Sequence, residues 1–187
     1  MWINEYSQEY GLSIIVYCLM TNHVHFIVIP KNEDDLARTF NSAHMRYSQY
    51  RNKKMGVSGH LWQGRFFSCV LDERHLIATA RFIERNPVRA NMVKKPCDYI
   101  WSSAKSHAGI SKNDIIDSNG LFRYIDIKQN DLKGFIEGGD DPDEVSMIRK
   151  HTMTGRPLGS NSFINKLENR LGEKLRALPV GRPKKDK

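Results

Sequence analysis

The stretch HVHFIVIP, residues 23–30, constrains the fold most, because it places two histidines inside an apolar run that is typical of a β-strand. Side chains alternate across a strand, so His23 and His25 point to one face while Val24 and Phe26 point to the other. Two neutral imidazoles on one face make half of a metal site. The pattern alone favours this interpretation and a pair of partly buried structural histidines about equally.

The neighbouring segments predict an α+β arrangement. The apolar run LSIIVYCLM at residues 12–20 precedes a Thr-Asn turn, so the two runs predict a tight antiparallel hairpin. Residues 1–10 predict the last turns of a helix that ends at Gly11. Residues 32–53 predict a second helix, with acidic residues in its first turn and basic ones in its last. Its apolar stripe would consist of Leu36, Phe40, Ala43, Tyr47 and Tyr50.

Downstream, the segment RFFSCVLD at residues 65–72 predicts another strand. Asp72 can cap a helix over residues 73–86, which Pro87 would terminate. At 100° per residue, one arc of that helix carries polar and aromatic side chains beside a purely apolar arc. The first arc, His75, Thr79, Phe82 and Asn86, is the one that can face a site.

The positive charge is concentrated in two parts of the chain. Residues 149–187 hold 11 Lys or Arg against 3 Asp or Glu, which equals the net charge of +8 for the whole sequence. Within the neutral remainder, residues 31–95 carry 13 basic and 6 acidic residues, whereas residues 96–148 carry 5 and 10. Such segregation predicts a polyanionic partner, nucleic acid in the first place. A basic surface that serves only solubility is the alternative.

Length and composition predict one domain with a tail in a soluble, cytoplasmic protein. The 187 residues contain neither an apolar run long enough to span a membrane nor a leader segment. The three cysteines, Cys18, Cys69 and Cys97, are odd in number and widely spaced. They fit neither a disulfide framework nor a zinc ribbon, and we expect buried thiols.

Three blocks of the sequence, YCLMTNHVHFIV, GHLWQGRF and RFIERNPVRANMV followed by DYIWSS, resemble the REP-associated tyrosine transposases, which are relatives of the single-tyrosine HUH transposases. The resemblance runs from about Gly11 to His107, and TGRPLGS with GRPKK resembles the tail of one branch of that family. It implies a ferredoxin-like HUH nuclease domain. Family members bind hairpin-forming single-stranded DNA ends and cut one strand through a phosphotyrosine bond during transposition. A homodimer is compatible with this assignment.

On this basis the chain divides into an HUH transposase-like domain at residues 1–110, an acidic and polar connection at 111–141, and a basic, helical, DNA-contacting region at 142–187. Relative to the family, the first strand is missing from the domain. In the last region, residues 160–178 have an apolar stripe that predicts a helix, with residues 143–150 as a shorter partner helix. A disordered basic tail is the alternative.

The resemblance also implies site residues. The metal ligands would be His23, His25 and Asn86, holding Mg²⁺ or Mn²⁺, although Asn86 before a proline can equally be a helix terminator. The nucleophile position is Phe82, where the family has tyrosine. A benzyl ring has no oxygen. The chain is therefore either a DNA strand transferase that cuts and rejoins one strand, or its inactive descendant, or it is a non-catalytic DNA-binding derivative such as a repressor. Phe82 can also be a core aromatic.

DNA contacts are predicted in two places. In GHLWQGRF, Trp62 can stack on a base, and Gln63 or Arg65 can reach phosphate or a base edge. The alternative is a hydrophobic turn anchored by Trp62. In the tail, Arg156 and Arg182 lie in two Gly-Arg-Pro tripeptides that are weakly similar to minor-groove hooks. RNA binding is a more distant alternative.

Overall fold

The computed structural model describes residues 1–117, 120–124 and 129–177, and their arrangement confirms the α+β class. None of the described helices is long and apolar enough to cross a membrane. The elements, in chain order, are α1 Trp2–Tyr10, β1 Leu12–Leu19, β2 Val24–Pro30, α2 Asp35–Met55, α3 Glu73–Glu84, α4 Asn86–Arg89, α5 Ala104–His107, α6 Gln129–Glu137, α7 Pro142–Thr154 and α8 Asn161–Leu171, with 3₁₀ turns at Pro96–Asp98 and Leu121–Arg123.

The predicted hairpin forms. Strands β1 and β2 pair antiparallel, and the turn is closed by the Met20 amide donating to the His23 carbonyl at 2.9 Å. The register shifts between Ile14 and Val16, so both faces of β1 become apolar and buried. Strand β1 is therefore central in the packing, although the described residues contain only one strand partner for it.

Helices cover the two faces of the hairpin separately. Helices α1 and α2 pack on one face, and their cluster consists of Ile3, Leu12, Ile14, Tyr17, Phe40, Ala43 and Ile116. Helix α3 packs on the other face together with α6 and α7, which contribute Leu132, Ile136 and Ile148. Segments on both sides of residues 110 and 141 thus share one core, and the exact domain boundaries stay predictions.

Residues 65–72 do not form the predicted strand. Only Leu71 makes a bridge, parallel to Leu158, flanked by hydrogen bonds from the Leu158 amide to the Val70 carbonyl at 2.8 Å and from the Asp72 amide to the Leu158 carbonyl at 3.1 Å. The outer edge of β1 is taken instead by residues 101–103. Because that edge is occupied, only one residue of segment 65–72 pairs with another strand-like residue, and the segment does not form a strand.

Two helix ends also differ from prediction. Helix α3 begins at its Asp72 cap as predicted but ends at Glu84, and Pro87 lies in the first turn of the new helix α4. Proline lacks an amide hydrogen and clashes with the carbonyl four residues earlier, which breaks the ladder before Pro87 itself. Helix α8 starts at its Ser160 cap but ends at Leu171, because Gly172 adopts a left-handed conformation with φ of 72°.

The apolar stripe of α2 is buried only in its first half. Phe40 and Ala43 are buried, whereas Tyr47 and Tyr50 are 41% and 47% exposed. The two tyrosine rings pack edge-on against Trp2, with centroids 6.5 and 5.2 Å away. Trp2 at the start of α1 covers these rings only in part. The prediction of a fully buried stripe was therefore wrong at its carboxyl end.

Two of the three cysteines are buried as predicted. All three are free, with Cys18 and Cys97 buried and Cys69 half-buried. Burial raises the pKa of each thiol, that of Cys18 to about 12. The thiols are therefore protonated near neutral pH and poor nucleophiles.

Candidate functional site

The two histidines lie side by side at the turn end of the hairpin, as strand alternation predicts. The ring centroids of His23 and His25 are 4.9 Å apart, with the planes at 89°. His25 stands opposite Cys18 in the register, and Cys18 belongs to the core under α3. The pair therefore faces α3, the helix that carries Phe82.

Both imidazoles offer a lone pair. Burial, with smaller effects from His23 and Arg89, lowers the pKa of His25 to about 4, so this half-buried ring is neutral at pH 7. The exposed His23 has Nδ1 2.7 Å from Asn22 Oδ1. Since an amide oxygen can only accept, Nδ1 is the donor in this contact, and Nε2 is the ring nitrogen that remains for a metal. Neutral imidazole nitrogens of this kind bind divalent metals.

Phe82 lies next to this pair. Its ring centroid is 6.2 Å from that of His25 with the planes at 81°, and its side chain is buried. The structure thus brings His23, His25 and Phe82 together, although they are separated by more than fifty residues of chain. Residue 82, where the resemblance implies a tyrosine, lies beside the histidine pair but carries no oxygen.

Asn86 and Arg89 form a pair at the same end of α3, and Arg89 was not anticipated from the sequence. Arg89 Nη2 donates to Asn86 Oδ1 at 2.5 Å and also to the Phe82 carbonyl, and the guanidinium lies 4.3 Å from the centre of the Phe82 ring. Its Nη1 donates to Asp140 Oδ1 at 3.0 Å, an oxygen that also accepts from Arg85. The only sequence signal for this pair is the spacing of three residues between Asn86 and Arg89 on a helix.

The residues fit a metal in part. The imidazoles of His23 and His25 are adjacent and lie on the same face of the hairpin, as a shared Mg²⁺ or Mn²⁺ requires. The oxygen of Asn86 is held by a guanidinium, which must move before that oxygen can bind a cation. Within the described parts of the chain, His, Cys, Asp and Glu side chains nowhere form a group of three that could hold a metal. Any such site therefore depends on the histidine pair plus outside oxygens.

Trp62 anchors its loop to α2. Its ring stacks on His44 with centroids 4.1 Å apart, and Nε1 donates to the His44 carbonyl at 3.2 Å. Tyr47 covers it from the side, 5.9 Å away. These contacts agree with the alternative interpretation of this loop, a hydrophobic turn anchored by Trp62. Gln63 and Arg65 in the same loop are exposed and available to a ligand.

The loop and the histidine pair lie on different faces of the hairpin. A chain of aromatic contacts connects Phe26 to Phe40 at 5.3 Å, Phe40 to His44 at 5.6 Å, and His44 to Trp62. Phe26 alternates with His25 along β2, so this chain runs away from the site. Trp62 therefore does not lie over the histidine pair.

Arg156 comes close to the same loop from the carboxyl end of the sequence. Its carbonyl accepts hydrogen bonds from Cys69 Sγ at 3.0 Å and from His151 Nδ1 at 3.2 Å. The Leu71–Leu158 bridge follows directly. Two of the predicted DNA-contacting segments thus meet, while Arg182 lies outside the described residues.

A buried polar cluster joins α3 to α5 and was not predicted from the sequence. Glu84 Oε1 accepts from Ser103 Oγ at 2.5 Å and lies 2.6 Å from His107 Nδ1. Glu84 and Ser103 are fully buried and His107 is 1% exposed. Glu84 lies on α3, whereas Ser103 and His107 belong to α5 and its cap. No local sequence pattern indicates a contact between these two segments.

The comparisons relate part of the chain to a known family. Residues 1–86, slightly less than half of the 187 residues, match the family described as "Transposase IS200 like". The match ends at Asn86, and it includes both histidines and residue 82. Neither the curated proteins nor the solved structures provide a significant match. A transposase family implies a function on DNA, which agrees with the segregated positive charge.

Proposed function

We propose that the protein binds hairpin-forming single-stranded DNA ends of a repeated element and does not cut them through residue 82. The observation that carries this proposal is the assembled site in which Phe82, without a hydroxyl, stands beside His25 at 6.2 Å. A site that keeps the histidine pair but lacks a hydroxyl at residue 82 supports binding without strand transfer. A repressor of the element that encodes the protein is the role such a molecule would fill.

Two tyrosine hydroxyls that pack on the hairpin are already engaged in hydrogen bonds. Tyr99 is buried in the core shared with α3, its hydroxyl donates to the Leu19 carbonyl at 2.6 Å, and burial raises its pKa. Tyr17 points to the opposite face of the hairpin, where its hydroxyl oxygen accepts from Asn113 Nδ2. In this arrangement neither hydroxyl replaces the one that Phe82 lacks.

Within this proposal, His23 and His25 hold Mg²⁺ or Mn²⁺ together with DNA phosphate oxygens. The bound cation would neutralise phosphate charge at the hairpin end. The chain itself contributes two neutral nitrogens, and Asn86 contributes its oxygen only after Arg89 has moved. Affinity for the metal should therefore be low in the free protein and higher in the complex.

The proposed DNA binding predicts a steep salt dependence. The protein should bind a hairpin with single-stranded flanks more tightly than a blunt duplex of equal length, and no covalent adduct should appear on a denaturing gel. Neutralising the four basic residues of segment 178–187, Arg182, Lys184, Lys185 and Lys187, to glutamine should lower the slope of log K against log salt by about 3. Fluorescence anisotropy at several salt concentrations measures both effects.

This variant keeps the chain length, and a matched control changes four exposed asparagine or glutamine residues instead. A truncation at residue 153 would also remove Leu158, which is buried and bridges Leu71, and would therefore disturb the core. Equal affinity for hairpin and blunt duplex, or a slope that neutralisation leaves unchanged, would contradict the assignment of the partner or of the tail.

The metal proposal predicts an effect of the histidine pair on Mn²⁺ binding. Replacing His23 and His25 by alanine should abolish the Mn²⁺ heat signal that the DNA complex gives in isothermal calorimetry, because a single amide oxygen does not retain the ion. His60→Ala is the matched control, since His60 is exposed and has no contact with the pair in the described structure. An unchanged isotherm in the double variant means that the metal is held elsewhere.

A further inference from the structure

We infer that Arg65, Phe67, Val70 and Arg156 form a surface that binds unpaired nucleotides, with Phe67 stacking on a base. We call these four residues the Phe67 surface. The inference rests on the proposed function and deepens it, because it moves the base-stacking role in the loop from Trp62 to a residue that the sequence did not single out.

The first argument is the availability of the ring. Trp62 has one face stacked on His44 and its indole N–H bonded, so little of the ring is free to take a base. Phe67, five residues later, is 70% exposed and contacts none of the other aromatic rings in the described residues. An aromatic face open to solvent is the feature that single-stranded nucleic acid uses for stacking.

The second argument is that Phe67 is held in place from both sides. Phe66 packs on Phe40 with ring centroids 5.2 Å apart on the α2 face of the hairpin. Cys69 packs against the core under α3, and its thiol donates to the Arg156 carbonyl. The chain passes from one face of the hairpin to the other between these residues. An exposed ring on such a fixed segment loses little freedom when a base stacks on it.

The third argument is charge. Two arginines of the α3 region are paired with carboxylates, Arg81 with Glu144 and Arg85 with Asp140. Arg65 and Arg156 have no carboxylate partner in the parts of the chain that the structure describes. Arg65 lies two residues before Phe67 in the sequence, and the Arg156 carbonyl is bonded to Cys69, two residues after Phe67. Arginines without carboxylate partners on the segments that flank an open aromatic ring suit the alternation of phosphate and base along a single strand. A lone exposed phenylalanine would carry no such argument.

The test separates stacking from phosphate binding. The probes are an oligothymidylate of about 12 nucleotides, within the range that one single-strand binding groove covers, and an abasic chain of the same length. The full chain should prefer the thymidylate by about tenfold, the size of one base–aromatic stack. Phe67→Ala should bind both probes equally, Phe67→Trp should keep the preference, and Tyr50→Ala, which removes another half-exposed ring, should behave as the parent.

A second measurement is independent of affinity. Ultraviolet crosslinking of a bromodeoxyuridine-substituted oligothymidylate, followed by peptide mass spectrometry, should locate the adduct at Phe67. A preference for thymidylate that survives in Phe67→Ala, or adducts only at Trp62 or Trp101, would overturn the inference while the proposed function stands. Failure of the parent protein to bind either probe or a hairpin would overturn the proposed function itself.

Discussion

Replacing Phe82 by tyrosine should give the protein a covalent DNA-nicking activity that the parent lacks. The Phe82 ring lies next to that of His25, and the Arg89 guanidinium over the ring would stabilise a phenolate. The phenol gives its proton to water, the phenolate oxygen forms a bond to phosphorus as the bond from phosphorus to a deoxyribose oxygen breaks, and the departing oxygen takes a proton from water. The measurement is a protein–oligonucleotide band on a denaturing gel, with a cognate hairpin and Mn²⁺ present.

The matched variants are Phe82→Tyr combined with His25→Ala, which should lose the band, and Phe82→Leu, which should bind DNA without forming it. Because one oxygen changes the outcome from no product to a detectable adduct, the expected effect is limited only by the sensitivity of the gel. An adduct formed by the parent protein would place the nucleophile elsewhere. Tight hairpin binding by Phe82→Tyr with no adduct would indicate that the site has changed beyond residue 82.

Replacing Glu84 by alanine should destabilise the fold by about 3–5 kcal/mol, because it removes a buried hydrogen-bond partner and leaves a cavity beneath α3. Glu84 is 0% exposed, and its side chain is the partner of both His107 Nδ1 and Ser103 Oγ. Without it, His107 Nδ1 loses its partner, and Ser103 Oγ keeps only the Tyr17 carbonyl as acceptor. Urea denaturation monitored by tryptophan fluorescence gives the free energy of unfolding.

Glu84→Gln separates shape from charge, since an amide still accepts from Ser103, and it should cost less than alanine. Glu9→Ala on the exposed side of α1 is the control and should change the free energy of unfolding by less than about 0.5 kcal/mol. A loss below about 1 kcal/mol for Glu84→Ala would show that the cluster is not a cooperative part of the core.

The hairpin and the orientation of the histidines were predictable, because both follow from alternation within one short segment. The same is true of the Asp72 and Ser160 caps, which depend on side chains within three residues of the amides they bind. The contact of Phe82 with the pair became predictable only through the family resemblance. Periodicity placed Phe82 on the arc of His75 and Asn86, but it gave no information on which strand that arc meets.

The features that were missed depend on partners far away in the sequence. Arg89 meets Asp140 across 51 residues, and Glu84 meets His107 across 23. The expected strand at residues 65–72 failed because an apolar pattern does not reveal whether a sheet edge is free. Tyr47 and Tyr50 were assigned to the core because helical spacing is the same for a buried stripe and for one that extends past its partner.

The cap of α3 has a consequence for the order in which the protein folds. Asp72 Oδ2 accepts from the Ser160 amide at 2.7 Å, so one carboxylate joins the start of α3 to a residue 88 positions later. At a translation rate of 5–20 residues per second, Ser160 leaves the ribosome roughly 4–18 s after Asp72. During that interval α3, which carries residue 82, has its Asp72 cap but lacks the hydrogen bond that joins this cap to the segment around Ser160. A nascent chain therefore completes the surroundings of α3 only after Ser160 has been made.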